Sequence, residues 1–256
     1  ERCIVKGAML FTLWFQTERR PTKDLDLLGL GSFNEDTIRN ILADVCRLSV
    51  EDDALSYDPE QITIAPIRDE EEYHGLQATL SGLIGKAHVT VSIDIGLGDV
   101  VTPKARKEAF PVLLPMPAPH MRVYPPESVI AEKTDAIVAL GMRNSRMKDY
   151  FDMWLLLTGR GFDGSVLLQA LLATRKRRAR IWPEGIPVGL RLEFADDTGK
   201  QAQWKAFLRR MGLSVGSHDF REIHQAIRGF LCPVITAMQE KKTFTQSWKP
   251  ESGWVD

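Results

Sequence analysis

With 256 residues, 33 Lys+Arg against 34 Asp+Glu and 44% apolar content, the chain has room for one large domain or two modest ones and an ordinary globular composition. Its three cysteines, Cys3, Cys46 and Cys232, are odd in number and show no CxxC spacing, which disfavours a disulfide framework or a zinc knuckle and points to a reducing, cytoplasmic setting. No apolar run approaches the ~18 residues of a membrane span, and Glu1-Arg2-Cys3 leads straight into a strand-like segment, so no signal peptide is read and the start of the fold is expected upstream of Glu1.

Cys3 to Val5 reads as the end of a strand, and Gly7 to Gln16 as a buried helix, apolar almost all round. Lys23 to Leu28 alternates with period two and predicts a strand that turns Leu25 and Leu27 to the core. Asn34 is placed to cap a helix through Leu48, with Ile38, Ile41, Leu42 and Val45 at helical spacing. Strands follow near Ile62 to Ile67 and Leu76 to Leu83, around the acidic turn Asp69 to Glu72, and Ala87 to Ile95 alternates most cleanly of all. From Gly96 to Pro126 the chain holds seven of its fourteen prolines, which predicts a long ordered loop or a linker without regular structure. Beyond it the pattern is helical, over 127–140, 147–157, 165–178, 198–211 and 218–241, with a Pro/Gly loop at 181–190.

The expected fold is α+β, a mixed sheet lobe over 1–125 followed by a mostly helical lobe over 126–256, with the boundary in the proline-rich stretch. Charge divides the same way. Residues 1–128 carry 13 Lys+Arg against 20 Asp+Glu, net −7, and the rest carry 20 against 14, net +6. An acidic half suits cations and a basic half suits a polyanion, though compositional drift accounts for the split equally well.

Asp24 and Asp26 stand at i and i+2 on the predicted strand, so their carboxylates share a face, and Asp94 lies near the end of another strand whose neighbours Ile93 and Ile95 point the other way. Like charges so close repel unless a cation separates them. Three strand-borne carboxylates converging on one point are what hard oxygen-seeking ions such as Mg²⁺ require, and two such ions can serve a nucleophile and a leaving group together. The competing reading is a solvated polar face on an amphipathic edge strand. Upstream, Lys6-Gly7-Ala8 forms a strand-to-helix turn whose small residues would let backbone N–H groups approach a phosphate, and Arg19, Arg20 and Thr22 lie just before the acids.

These pieces, KGAMLF at 6–11, the R-x-T-x-D-x-D of Arg20 to Asp26, IDIG at 93–96, PESVIAEKTDAI at 126–137 and NSRMKDYFD at 144–152, resemble the AbiEii/AbiGii toxin family of nucleotidyltransferases. That family is a branch of the polymerase-β-like superfamily that includes the MenT toxins, and the resemblance covers roughly the first 150 residues. It implies a nucleotidyltransferase sheet with Asp24, Asp26 and Asp94 as Mg²⁺ ligands, Lys133 as the lysine of the AEK motif and Asp149 as the acid of the KD motif. It further implies transfer of a nucleoside monophosphate from an NTP to an acceptor, with tRNA 3′ ends as acceptors for some relatives and a cognate antitoxin as partner. The wider superfamily places Gly-Ser shortly before DxD; here Gly7-Ala8 lacks the hydroxyl and lies sixteen residues upstream of Asp24, which makes Thr22 the nearer hydroxyl.

Lys133 falls between the apolar stripe and the solvent face of its helix, from which it could reach a triphosphate as a mobile point charge or pair locally with Glu132 or Asp135. Arg146 and Lys148 crowd the next turn as further nucleotide-binding candidates beside Lys6, Gly7 and Thr22. Asp149 could orient Lys133 or Arg146, bind the incoming nucleotide, or form a simple salt bridge between helices. Arg175, Lys176, Arg177, Arg178 and Arg180 end a helix and are either a dipole-complementing terminus or an RNA-tracking patch. Trp204, Trp248 and Trp254 could stack bases, with packing as the commoner use. The five histidines lack HxxxH or HExxH spacing, and Gly96-Leu97-Gly98 lacks the third glycine of a dinucleotide fingerprint. Without catalysis, the same residues would serve a nucleotide- or RNA-sequestering protein; with a protein acceptor, they would nucleotidylate or phosphorylate it.

Overall fold

The computed structural model describes residues 2–15, 22, 24–31, 33–50, 54–67, 75–214 and 218–256. Arg19, Arg20, Lys23, the Asp69 to Glu72 turn and His74 lie outside the described residues. The chain divides into two compact units, one of Glu1–Trp14, Pro21–Asp99 and Arg106–Tyr124, the other of Phe15–Arg20, Val100–Ala105 and Pro125–Asp256.

An eight-stranded mixed sheet makes up the first unit. Its strands are β1 (Cys3–Lys6), β2 (Asp24–Gly29), β3 (Leu55–Tyr57), β4 (Thr63–Pro66), β5 (Gly75–Ile84), β6 (Ala87–Leu97), β7 (Arg106–Ala109) and β8 (His120–Val123). They run in the order β3-β5-β6-β2-β1-β8-β7, with β4 also paired to β5. On one face lies α2 (Glu35–Cys46), started by Asn34, whose Oδ1 accepts from the Thr37 backbone N–H at 2.8 Å. Ile38, Leu42 and Ala43 of that helix form a core with Ala78, Leu80, Ile93 and Ile95, while Leu25 and Leu27 pack against its edge. Each such large side chain taken out of water contributes about 1.5–3 kcal/mol. Because side chains alternate along a strand, committing Leu25, Leu27, Ile93 and Ile95 to this core turns Asp24, Asp26 and Asp94 to the opposite face.

Two expectations need correction here. The buried helix after β1 is shorter than its apolar content suggested: a 3₁₀ turn, Gly7–Met9, leads into α1 (Leu10–Trp14), which buries Leu10 and Phe11. The proline-rich stretch also holds regular structure. β8 joins the sheet parallel to β1 through Val5↔Val123, and β7 closes on β8 as an antiparallel partner. Every proline of that stretch falls outside these strands, where a missing N–H costs the ladder nothing.

The second unit is mostly helical, with α3 (Pro126–Leu140), α4 (Met147–Gly159), α5 (Gly164–Arg177), α6 (Leu192–Asp196), α7 (Thr198–Arg210) and α8 (Phe220–Gln239). Pro126 opens α3 at the position where its missing N–H is harmless. Periodicity did not reveal the three-stranded sheet of β9 (Phe162–Asp163), β10 (Ser247–Lys249) and β11 (Gly253–Val255). Trp248 and Trp254 face each other across it, and the Trp254 ring stacks on Phe230 at 5.3 Å. Trp204, 1% exposed, stacks on Phe220 at 5.1 Å. These indoles also donate to backbone carbonyls, Trp204 to His218, Trp248 to Leu157 and Trp254 to Phe230, so all three are packing residues. Among the described residues, no helix is long and apolar enough to cross a membrane.

Candidate active site

Four polar residues from four strands stand in one row across the first unit's sheet. Gln77 of β5 pairs with Asp94 of β6, Asp94 with Asp26 of β2, and Asp26 with Lys6 of β1. Asp24 occupies the next row, opposite Ser92. Neighbouring strands are about 4.8 Å apart, so the backbones of Asp26 and Asp94 are about that close and both side chains leave the same face. The Gln77 amide donates to Asp94 Oδ1 at 2.8 Å. At the other end, Lys6 Nζ donates to Asp99 Oδ2 at 2.8 Å and lies 5.1 Å from the centre of the Tyr124 ring. Lys6 is thus engaged by an acid and a ring of its own unit. Thr22 turns its hydroxyl to the Asp24 carbonyl at 3.3 Å, a local contact at the head of the strand.

Gly7 carries a constraint beside the phosphate approach expected of it. Its φ of +70° lies in the left-handed region, and a Cβ there would overlap the carboxylate of Asp26. Only glycine satisfies both conditions. The turn between β1 and α1 is the cradle on which the Asp26 carboxylate rests.

The three acids share a face without converging on one point, as the spacing alone suggested they would. Among the described residues no group of three His, Cys, Asp or Glu side chains is gathered as a metal site. Asp94 accepts from Gln77, Asp26 rests over Gly7, and exposed Asp24 lies one row along. The donor chemistry nonetheless fits a hard cation such as Mg²⁺, because carboxylate oxygens on adjacent strands of one face are its preferred ligands.

In the second unit, α3 and α4 are joined by buried charge. Lys133 Nζ donates to Asp149 Oδ1 at 2.6 Å and to Asp152 Oδ2 at 2.9 Å, while Arg146 Nε donates to Asp149 Oδ2 at 2.8 Å. Both acids are 1% exposed. Burial pushes the Asp149 carboxyl up, but Lys133, Arg146 and exposed Lys148 together outweigh it and bring the group down to about 2. Asp149 thus bridges Lys133 and Arg146. The local partners Glu132 and Asp135, weighed for Lys133, are replaced by acids sixteen and nineteen residues away. The start of α4 is fixed from behind: Asn144 Oδ1 accepts from the Arg146 N–H, and buried Lys200 of α7 donates to the Asn144 carbonyl, both at 2.9 Å.

Asp135, fully buried, gathers much of the basic run. It accepts from Arg178 at 3.0 Å, Arg180 at 3.1 Å and the Trp182 indole at 3.1 Å. Lys176 and Arg177 are exposed and Arg175 is half-buried. The five cations are therefore not one solvated patch: two of them turn inward because a carboxylate buried in α3 requires them. An acid on the buried side of a helix, between Ala131 and Ala136, is the signal in the sequence that could have found this cluster.

Compared with known proteins, residues 1–226 match the family described as nucleotidyl transferase AbiEii toxin, type IV TA system. The chain belongs to the AbiEii nucleotidyltransferase toxin family. The match extends well past the resembling motifs, into α8. No curated protein matches the chain. A candidate nucleotidyltransferase from H. pylori superposes with a TM-score of 0.50 at 14% identity, covering 94% of this AbiEii-family chain and 87% of that one. JHP933 from Helicobacter pylori gives 0.49 at 13% identity over 94% and 84%. The first of these likenesses supports the fold, a mixed sheet followed by a helical region.

Proposed function

We infer that this AbiEii-family chain transfers a nucleoside monophosphate from an NTP to an acceptor hydroxyl in a Mg²⁺-dependent reaction. We infer also that the acceptor is RNA, with the 3′ end of tRNA as its site. The observation that supports the reading is the register that sets Asp26 beside Asp94 with Asp24 two residues along the same face. A sheet that merely needed a solvated face would have no use for a left-handed glycine beneath one of the acids.

In this reading Asp24 and Asp26 hold two Mg²⁺ ions, and Asp94 completes the site nearest the acceptor. Bound there, Mg²⁺ would lower the acceptor hydroxyl's pKa and offset charge on the phosphates. Gly7 and Gln77 hold the Asp26 and Asp94 carboxylates in place. Lys133, Arg146 and Lys148 are the cations assigned to the triphosphate, with Asp149 and Asp152 fixing the Lys133 ammonium. Preorganised charge of this kind accelerates phosphoryl transfer by positioning more than by covalent chemistry. The biological role is that of the toxin in a bacterial toxin-antitoxin or phage-defence pair, with a cognate antitoxin as partner.

The test is to incubate the purified chain with each labelled NTP, Mg²⁺ and either total RNA or total protein. Label should enter RNA, and Asp24→Asn, Asp26→Asn or Asp94→Asn should abolish it. Turnover within about tenfold of the parent, only ~1.4 kcal/mol in barrier, would remove the metal assignment. Label appearing in protein alone would replace the RNA acceptor.

A further inference from the structure

The ribbon of β7 and β8 carries cations where a ladder disfavours them. Its register sets Lys107 directly opposite Arg122, and Ala109 opposite His120. These four side chains share one face, with Arg106, Glu108, Met121 and Val123 on the other. Like charges directly opposite each other destabilise an antiparallel pair. Neither Lys107 nor Arg122 has an ion pair or a side-chain hydrogen bond to any described residue. The single acid within the ribbon, Glu108, projects from the wrong face to relieve them. Lys107 and His120 are exposed and Arg122 is half-buried.

The register also identifies which face of the sheet this is. Val123 pairs with Val5, Val5 pairs with Leu27, and Leu27 packs toward α2. Arg122 and Lys107 therefore project from the opposite face, the one that carries Asp26, Asp94 and Lys6. β8 lies two strands from β2 and β7 three, so the two cations stand about 10 and 14 Å across the sheet from the DxD strand.

We propose that this ribbon face docks the phosphate backbone of the RNA acceptor. The proposal rests on the RNA-acceptor reading above and adds a second cationic surface to the exposed Lys176 and Arg177, since Arg178 and Arg180 are engaged by Asp135. Charge complementarity selects the occupant: a cationic row without an acid calls for a polyanion, and phosphates on it would release counterions and relieve the cross-strand repulsion. A lysine on an edge strand also discourages edge-to-edge pairing, and β7 is the edge of the sheet. That use explains Lys107 but not Arg122, which sits on the interior strand β8.

The experiment measures anisotropy of labelled bulk tRNA with the full chain over a series of salt concentrations, with unlabelled poly-L-glutamate as competitor. Transfer of labelled NTP to the same tRNA is followed in parallel. Lys107→Gln with Arg122→Gln should weaken tRNA binding roughly tenfold and lower the slope of log K against log salt by about 1.5–2. Lys107→Gln alone, exposed on the edge strand and safe for folding, should take away about half of that slope. A double variant that binds tRNA with the parent's affinity and slope overturns the ribbon while label transfer by the parent leaves the RNA reading intact. A parent that binds through the ribbon but labels no RNA overturns the reading and leaves the ribbon standing. Displacement by poly-L-glutamate at equal charge concentration, with no preference for tRNA, overturns the proposal in favour of an acidic protein.

Discussion

Gly7 lies beneath the Asp26 carboxylate, with φ at +70° and no room for a Cβ between them. The turn and the acid are separate in sequence, yet β1 and β2 pair Lys6 with Asp26 and so bring the next residue, Gly7, under that side chain. Gly7→Ala must therefore adopt a strained φ and also displace the carboxylate. The strain costs about 1–3 kcal/mol, which thermal melting will read. Nucleotide transfer should fall much further than such a stability loss explains, because Asp26 moves. An alanine variant with the parent's transfer rate would show that the position of Asp26 is not critical.

Lys133 neutralises two buried acids, so its replacement acts on the fold as well as on chemistry. Lys133→Met takes one salt-bridge partner from each of two buried acids, Asp149 and Asp152. Removing one partner of a buried ion pair costs about 3–5 kcal/mol, a melting shift of about 10 °C for a chain of this size. Adding Asp152→Asn removes one of the two acids that lost Lys133 and should recover part of the loss. If the single variant melts with the parent, the pair is not the link between α3 and α4 that its geometry indicates.

The acid limb of stability should carry the signature of Asp149. Its folded value is about 2 against an ordinary 3.8, so the carboxylate stabilises the fold fully above pH 3.8 and that contribution disappears as pH falls toward 2. The amount is about 2 kcal/mol. His224 adds an earlier loss: burial holds its pKa below 6.5, so the neutral ring's contribution is complete above 6.5 and declines as pH drops through the lowered value. Urea unfolding followed from pH 7 to 2 should show both limbs, and Asp149→Asn should flatten the lower one alone. A parent curve that is level between pH 4 and 2 would contradict the Asp149 assignment.

The sequence by itself determined most of the longer elements and the family. Alternation in Asp24 to Leu28 and Ala87 to Ile95 settles which side chains face the core, and with that the face on which all three acids must lie. Asn34 marked the start of α2 through its own hydroxyl-free amide, a contact three residues away that needs no tertiary context. The tertiary structure alone decided partners distant in the chain. Strand pairing brought Gln77, Asp94, Asp26 and Lys6 into one row, put β7 and β8 into the sheet from a stretch whose prolines hid them, and laid Gly7 under Asp26. Helix packing chose Asp149 and Asp152 for Lys133, and Asp135 for Arg178 and Arg180, over nearer residues of suitable charge. The physical reason is range: a hydrophobic period or a cap is satisfied within a few residues, whereas a charge is satisfied by whichever opposite charge folding buries beside it, and local spacing carries no record of that choice.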